Sequence, residues 1–100
     1  TTNPFWGLYA AVGRRRMDGS PGPDGWHPRQ KLQLREALSA YTLGPAYAAG
    51  WEAVQGRLQP GGWADLIVLD RNPFECGADE LAALKPVGTM VGGEWRFRRF

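Results

Sequence analysis

The side chains that most often carry catalysis are scarce in this sequence. His27 is the single histidine and Cys76 the single cysteine, and they stand in separate segments, GWHP and FECG. A tetrahedral zinc site takes three or four ligands, several of them usually His or Cys, so these two residues do not predict one. A Cys–His nucleophilic pair needs its groups within hydrogen-bond reach, and no motif around either residue indicates that contact. We therefore expect an ordinary imidazole and an ordinary thiol in two loops.

Two acidic residues, Asp65 and Asp70, lie at either end of the apolar run LIVL. One interpretation makes them metal ligands or acid–base carboxylates. The other makes them structural, because Asp after a glycine-rich turn accepts backbone N–H hydrogen bonds, and Asp before RNP fits the end of a strand. We favour the structural interpretation and expect Asp65 to hold the turn that precedes it.

Basic residues form two clusters, Arg14–Arg16 and the tail EWRFRRF. The first cluster either holds an anion beside a glycine-rich loop or is simply solvated, and we favour the solvated loop. The second suggests nucleic-acid binding, with bases stacked on Trp95 or Phe97 and phosphates on the arginines. Alternation instead places the rings and the arginines on opposite faces, which is typical of an ordinary amphipathic strand. A net charge of +2 is too small to argue for nucleic acid, so we expect no nucleic-acid partner.

Composition bounds the class of protein. The 100 residues suit one small domain, and 43% hydrophobic with 22% charged residues is a globular composition. Five tryptophans must be buried in a core, in an interface or against a partner segment. The single cysteine excludes an internal disulfide, and no run resembles a signal peptide or could span a bilayer. We expect a cytoplasmic protein with no membrane partner, and the missing initiator Met suggests a piece of something longer or a processed chain.

The elements that must position these residues are helical in the first half of the chain. Pro4 suits the first turn of a short helix within residues 1–12, since its missing N–H is no loss there. Residues 13–30 carry closely spaced Gly and Pro and predict a loop. A loop of that length is unusual in a small domain and often has a functional role.

The strongest helical pattern covers residues 34–43, where apolar side chains recur at i, i+3, i+4 and i+7. Gln33 stands at the N-cap position, where it is a poor cap, and Glu36 occupies the matching position of a capping box. A second short helix is expected to begin at Pro45 and to stop at Gly50.

The second half of the chain predicts strands. A Pro-Gly-Gly turn precedes a strand at residues 64–69, and a short helix is expected at Asp79–Lys85, with acids in its first turn and Lys in its last. Gly92-Gly93 separates VGTMV from EWRFRR and is a two-residue hairpin signal. The predicted fold class is therefore α+β, with N-terminal helices followed by a small β-sheet that ends in a C-terminal hairpin.

Four segments, taken in chain order, resemble parts of the YtcJ-like metal-dependent amidohydrolases of the amidohydrolase-3 type. They are NPFWGLYAAVGRR, KLQLREALSAYTLGPAYAAG, GRLQPGGWADLIVLDRNPF and KPVGTMVGGEW. The third carries the pattern GxLxPGxxADLxVLD and is the most specific of the four. Together the segments cover nearly the whole chain.

The resemblance implies that this chain comes from the C-terminal end of a larger enzyme. Family members hold zinc or another divalent metal in a TIM-like barrel, and both chain ends build a small accessory β-sandwich. Residues 1–50 would then supply the last barrel helices and residues 51–100 part of the sandwich. The family's metal ligands are an H-x-H pair, further His residues and an Asp, which would fall just upstream of Thr1. None of them maps onto this sequence, so no metal ligand, cofactor or catalytic acid is expected here.

Two sets of residues are expected to matter. The first is the structural motif carried by the resemblance: Gly56, Pro60, Gly61, Asp65, Asp70, Gly92 and Gly93. The second set would line the rim of a pocket, although core or interface is the other interpretation of its tryptophans: Asn3, Phe5, Trp6, Trp26 and His27.

The function implied by the resemblance is that of a non-catalytic, structural C-terminal part. The parent would hydrolyse C–N or related bonds with a metal-activated water. Its partners would be the remainder of the parent chain and, through exposed apolar surface, other copies of itself. Some family members are labelled exoenzyme regulatory proteins, a label that implies little mechanism. The alternative is an independent small binding or regulatory module with a basic, aromatic surface.

Overall fold

A computed structural model describes residues 2–100 of the chain, and it has the predicted α+β architecture. The helices are α1 (Pro4–Gly13), α2 (Leu34–Tyr41) and α3 (Leu43–Ala48), and the strands are β1 (Leu66–Leu69), β2 (Pro86–Val91) and β3 (Glu94–Arg98). Short 3-10 helices lie at Pro28–Gln30, Pro73–Glu75 and Ala78–Ala83. The order of helices first and a small antiparallel sheet last is the one that the sequence predicts.

The chain forms two compact units, each built from two separate segments. The first contains the described residues up to Leu38 together with Arg71–Leu84, and the second contains Ser39–Asp70 together with Lys85–Phe100. The assignment of residues 1–50 to barrel helices and of 51–100 to a sandwich concerns a larger enzyme and stays a prediction.

The core of the first unit forms where α1 packs against the 3-10 helix Ala78–Ala83. Asn3 caps α1, since its Oδ1 accepts the N–H of Phe5 at 2.9 Å, and Pro4 occupies the first turn as predicted. The buried apolar side chains of the first unit are Phe5, Leu8, Tyr9, Ala37, Leu81 and Leu84. Leu81 and Leu84 are each 2% exposed, and full burial of such a side chain stabilises by about 1.5–3 kcal/mol.

The helix expected at Asp79–Lys85 differs from the observed one. It is a 3-10 helix that ends at Ala83, with i→i+3 hydrogen bonds such as Leu84 N–H to Leu81 O at 3.3 Å. Pro86 disfavours helical dihedrals at the residue before it, and the chain is already extended at Leu84. The segment is therefore too short for regular α-helical turns.

Helices α2 and α3 divide the region predicted as one longer helix and one short one. Helix α2 ends at Tyr41, two residues earlier than predicted, because Thr42 has φ −123° and ψ −76° and so leaves the helical region. Glu36 Oε1 accepts the N–H of Gln33 at 3.0 Å, so the acidic half of the capping box forms. Gly50 follows α3 with φ 77°, as expected of a glycine that ends a helix.

The second unit contains a three-stranded antiparallel sheet in the order β1-β2-β3. In β1–β2, Leu66 lies opposite Met90, and in β2–β3, Val91 lies opposite Glu94 across the predicted hairpin. Gly92 and Gly93 have φ 59° and 81°, the positive values that a tight two-residue turn requires.

One contact between an arginine and a ring of the C-terminal tail departs from the separation that alternation predicts. The guanidinium of Arg98 lies 5.7 Å from the ring centroid of Trp95 and 4.9 Å from that of Phe100. Arg99 lies 5.5 Å from the ring of Phe97. Only the contact of Arg98 with Trp95 departs from alternation, because Arg98 and Phe100, like Phe97 and Arg99, are two positions apart and share a face.

Within residues 2–100, no helix has the length and apolar character that crossing a membrane requires.

Candidate functional site

A cavity of about 500 Å³ opens in the first unit where α1 gives way to the loop that follows it. Its lining is unusual in joining three consecutive arginines to an aromatic ring and two small apolar residues. The lining residues are Ala10, Arg14, Arg15, Arg16, Ser20, Pro21 and Trp26. The cavity therefore combines positive charge with an apolar wall.

Arg14 and Trp26 are fixed to each other at this cavity. Arg14 ends α1 in the left-handed conformation, with φ 53° and ψ 39°. The N–H of Trp26 donates to Arg14 O at 2.6 Å, and Arg14 Nε donates to Trp26 O at 2.7 Å. The Arg14 guanidinium lies 5.0 Å from the centroid of the indole ring, which is within cation–π range.

Gly25 permits this close approach of the loop to the helix. Its φ is 80°, and a Cβ at this position would lie 2.3 Å from Gly13 O and 3.0 Å from Arg14 O. Any side chain would therefore push the loop away from the end of α1 and would carry Trp26 with it.

Arg15 is committed to contacts within the protein. It forms an ion pair with Asp79, and its Nε donates to the Tyr9 hydroxyl at 3.3 Å. The Tyr9 hydroxyl in turn donates to Arg16 O at 3.1 Å. The hydrogen bond with Tyr9, and then that with Asp79, raise the pKa of Arg15. Arg15 therefore anchors the wall of the cavity.

Arg16 and Asp18 lie in the loop that follows α1. The Arg16 N–H donates to Ser20 O at 2.8 Å, and Asp18 Oδ1 accepts from Ser20 N–H at 2.9 Å and from Ser20 Oγ at 2.7 Å. These hydrogen bonds, and to a smaller extent the charge of Arg16, lower the pKa of Asp18. Among residues 2–100, the Arg16 guanidinium has no hydrogen-bond or ion-pair partner.

The five residues predicted for a pocket rim occupy different environments. Trp26 lines the cavity, and His27 contacts it edge-to-face with ring centroids 4.3 Å apart. Asn3 caps α1, Phe5 is buried in the core of the first unit, and Trp6 is 44% exposed. Of the five, Trp26 lines this cavity, and a pocket-rim role for the set stays a prediction.

Asp65 binds a different turn from the one that the sequence suggests. Its Oδ1 accepts the N–H of Gly92 at 2.8 Å, and its Oδ2 accepts from Gln55 Nε2 at 3.2 Å. Next to it, the Gly93 N–H donates to Ala64 O at 3.0 Å. The carboxylate therefore holds the β2–β3 hairpin turn against the start of β1 and leaves the preceding Pro-Gly-Gly turn alone.

The other motif residues also form backbone structure. The Asp70 N–H donates to Lys85 O at 3.0 Å, and Asp70 Oδ1 accepts the Lys85 N–H at 3.2 Å. At the turn containing Pro60, Gly61 has φ 88°. Gly56 has φ 100°, and a Cβ there would lie 2.9 Å from the Cβ of Ala46, so only glycine fits.

The residues that the structure describes do not group into a metal site. Within residues 2–100, no three side chains of the His, Cys, Asp and Glu types come together as a possible metal site. Cys76 Sγ donates to Asn72 O at 3.4 Å, whereas His27 packs on Trp26, so the cysteine and the histidine contact different partners.

Comparison with known proteins places these motifs in a family. A family model described as "Amidohydrolase family" matches residues 1–97. An N-substituted formamide deformylase from Arthrobacter pascens is 36% identical over 99 residues, which are 99% of this chain and 18% of that protein. The putative amidohydrolase YtcJ of Bacillus subtilis (strain 168) is 29% identical over 92 residues, 92% of this chain and 17% of that protein.

A plant protein is also similar. The protein LONG AFTER FAR-RED 3 of Arabidopsis thaliana is 32% identical over 69 residues, which are 69% of this chain and 12% of that protein. The chain thus spans less than a fifth of the length of each of these relatives. No solved structure gives a significant match. The resemblance carried by the four sequence segments is confirmed.

Proposed function

Because the chain belongs to the amidohydrolase family, we propose that it is the structural C-terminal part of a metal-dependent hydrolase. One observation carries this proposal: the chain matches the family over nearly its whole length, yet its described residues hold no group of metal ligands. Its motif residues are used for the fold, as Asp65 and Asp70 are in their backbone hydrogen bonds. The chain is therefore a scaffold, and the chemistry belongs to other segments of the parent.

We propose that the parent hydrolyses a C–N or related bond. The 36% identical relative is named an N-substituted formamide deformylase, which supports a substrate of the amide class. Zinc or another divalent metal, held by residues outside this chain, would activate the attacking water. We place the parent in the cytoplasm, since the single Cys76 offers no disulfide that would suit an oxidising compartment.

The scaffold role is tested first on the chain as it stands. We expect the purified 100-residue chain to contain no stoichiometric zinc by elemental analysis and to leave an N-substituted formamide unchanged over hours. The physical reason is the missing ligand group, since a hydrolytic zinc ion needs about three protein ligands and a bound water. Stoichiometric zinc together with turnover would contradict the proposal.

A positive test uses a chimera. The segment of the Arthrobacter pascens deformylase that aligns with this chain is replaced by the chain itself, and hydrolysis of an N-substituted formamide is measured. We expect activity to be retained, because a scaffold segment can be exchanged for a homologous one with the same fold. The matched control carries Gly88→Leu within the inserted chain and should lose activity through misfolding. A soluble, folded chimera without activity would contradict the proposal.

A second candidate function is an independent binding module. The observation that favours it is β3 with the residue after it: all residues of β3 are exposed, and Arg98 and Arg99 lie over aromatic rings. Exposed rings and arginines are the groups that stack on bases and pair with phosphates. Retention on single-stranded DNA with a steep loss of affinity as salt rises would support the module, and elution at low salt would support the scaffold.

A further inference from the structure

We propose that the cavity at the end of α1 binds a small organic monocarboxylate. Its carboxylate would pair with Arg14 and Arg16, and its apolar part would lie against Trp26. The proposal stands independently of the scaffold role, because the lining residues all belong to the first unit of this chain.

Two of the three arginines that line the cavity have N–H donors left for a ligand. Arg15 is paired with Asp79 and Tyr9 and has little capacity left for a ligand. Arg14 donates a hydrogen bond from its Nε to Trp26 O and lies over the Trp26 ring, which leaves its terminal N–H groups for a ligand, and the Arg16 guanidinium has no hydrogen-bond or ion-pair partner among the described residues. The planar donor fork of a guanidinium matches the two oxygens of a carboxylate. Two arginines with unused donors therefore line one cavity.

The side chains around the cavity carry a net positive charge of about one. Arg14, Arg15 and Arg16 bring three positive charges to the cavity. Asp79 forms an ion pair with Arg15, and the carboxylate of Asp18 in the same loop offsets a second charge without forming an ion pair with Arg16, so one positive charge remains uncompensated. Farther along the loop, Asp24 and Arg29 are of opposite sign and balance each other. One net positive charge suits a monocarboxylate, whereas a phosphate dianion would leave an excess of negative charge beside Asp18 and Asp79.

The apolar side of the cavity would contact the apolar part of the ligand. Trp26 is 61% exposed, although its backbone N–H donates to Arg14 O and its backbone O accepts from Arg14 Nε. Ala10 and Pro21 complete the apolar side of the cavity. Its volume of about 500 Å³ lies in the range of small-molecule sites, roughly 300–1,000 Å³. A flat ring carrying a carboxylate would lie against the exposed part of the indole, beside the Arg14 guanidinium, with its carboxylate toward Arg14 and Arg16.

The site is held in place before any ligand arrives. Arg14 is fixed by its left-handed backbone and by its Nε bond, and the Tyr9 hydroxyl holds the Arg16 backbone. Gly25 keeps the loop against the end of α1. Side chains that need little reordering lose little entropy when a ligand binds, which favours affinity.

The test uses benzoate as the probe and the whole chain as the protein. Heteronuclear NMR follows the Nε–H signals of Arg14 and Arg16 and the indole N–H of Trp26, and equilibrium dialysis of labelled benzoate gives the affinity if self-association broadens the signals. We expect benzoate to shift these three signals in a saturable way. Benzamide, which is neutral and nearly the same shape, and acetate, which lacks the ring, should each bind at least about tenfold more weakly.

Matched variants separate the cavity from overall charge. Arg16→Gln should lower benzoate affinity at least about tenfold, because it removes a charged donor fork from the cavity. Arg96→Gln removes the same charge from an exposed pair with Glu94 on β3 and should leave the affinity unchanged. Trp26→Leu should weaken benzoate and leave acetate unaffected. Amide spectra of each variant check that the chain is still folded.

Four outcomes would overturn the proposal. They are the absence of saturable binding, equal affinity for benzamide and benzoate, equal losses in Arg16→Gln and Arg96→Gln, and tighter binding of phenyl phosphate than of benzoate. The last of these would show that the site prefers a dianion, against the charge balance set by Asp18 and Asp79.

Discussion

Asp65 joins segments of the second unit that lie far apart in the sequence. One carboxylate oxygen accepts from the hairpin turn at Gly92, and the other accepts from the side chain of Gln55. The neighbouring bond from Gly93 to Ala64 depends on the same alignment. A single acidic side chain therefore fixes where the hairpin meets the start of β1.

Replacing Asp65 by Ala tests this role. We expect the free energy of unfolding to fall by about 1–2 kcal/mol, since hydrogen bonds to a charged acceptor are lost and the Gly92 N–H is left to water. Urea unfolding followed by tryptophan fluorescence measures the change. Asp24→Ala is the matched control, because Asp24 is exposed and makes no hydrogen bond or ion pair with residues 2–100. Equal effects of the two substitutions would contradict the role given to Asp65.

Asp18 gives a prediction about pH. Hydrogen bonds from Ser20 lower its pKa in the folded chain, so folding favours the charged carboxylate. Its contribution to stability is therefore present above the unfolded pKa and is lost as pH falls through the folded pKa. NMR titration of the Asp18 side-chain carbon should give a midpoint below the usual range of Asp, and Ser20→Ala should move it upward. A midpoint that Ser20→Ala leaves unchanged would rule out the hydroxyl as a cause.

At the scale of single residues, the sequence predicts the kind of interaction that a side chain makes better than it predicts the residue with which the side chain interacts. The glycine-rich context of Asp65 correctly favours hydrogen bonding to the backbone, but its partner Gly92 lies 27 residues away. The cavity depends on the left-handed Arg14 and on its contacts with Trp26, 12 residues later. Neither contact can be predicted from neighbouring residues in the sequence, because each forms only when a loop folds back on a helix or strand.

The β2–β3 hairpin is the element in which side-chain size matters most. Gly88 is buried in β2, and a Cβ there would lie 2.8 Å from the ring of Phe100 and 2.9 Å from the ring of Trp95. These two rings meet edge-to-face, with centroids 5.2 Å apart. The missing side chain at Gly88 thus leaves room for an aromatic pair to cross the strand.

Gly88→Val is the corresponding prediction. Valine favours strands over glycine by up to about 1 kcal/mol, but the clash with two rings should cost about 1–3 kcal/mol and decide the sign. We expect lower stability in urea and a weaker near-ultraviolet signal from Trp95. In a Phe100→Ala background the loss should shrink, since one of the two rings is gone. An undiminished loss in that background would place the clash elsewhere.

At the scale of elements, pattern and turn chemistry predict most of the structure. Periodicity locates α2, and Gly92-Gly93 locates the hairpin, because both signals are local. The errors fall at the ends of elements: Thr42 ends α2 early, and Pro86 leaves Asp79–Lys85 too short for an α-helix. Those boundaries depend on how the chain must turn to pack, which a local pattern does not record.

The whole molecule exposes many large apolar side chains. Among the most exposed are Tyr47 at 74%, Leu58 at 72% and Phe74 at 63%, and Ile67 of the edge strand β1 is 51% exposed. Surface of this kind indicates an area meant to be covered by another segment or another chain. In the scaffold role proposed above, the remainder of the parent chain would cover this surface.

The isolated chain is therefore expected to self-associate. Light scattering coupled to size exclusion should give a mass above that of the 11.1 kDa monomer, rising with concentration. Ile67→Lys should lower the associated fraction, because a charge on an edge strand opposes pairing between chains. The matched control Thr2→Lys adds the same charge at an exposed position near the chain start. A single monomeric species in light scattering, with well-dispersed amide NMR signals, would contradict the expectation that another segment or chain must cover this surface.

The position of β1 also has a consequence for synthesis on the ribosome. Its pairing partner is β2, with Leu66 opposite Met90, so LIVL emerges well before the strand that it pairs with. At about 5–20 residues per second the wait lasts on the order of seconds, whereas a hairpin closes within about 1–10 μs. Translation speed over the hairpin, and not folding speed, thus sets how long an uncharged, β-prone segment is free to pair with neighbouring nascent chains. Slow codons after residue 70 would lengthen that interval.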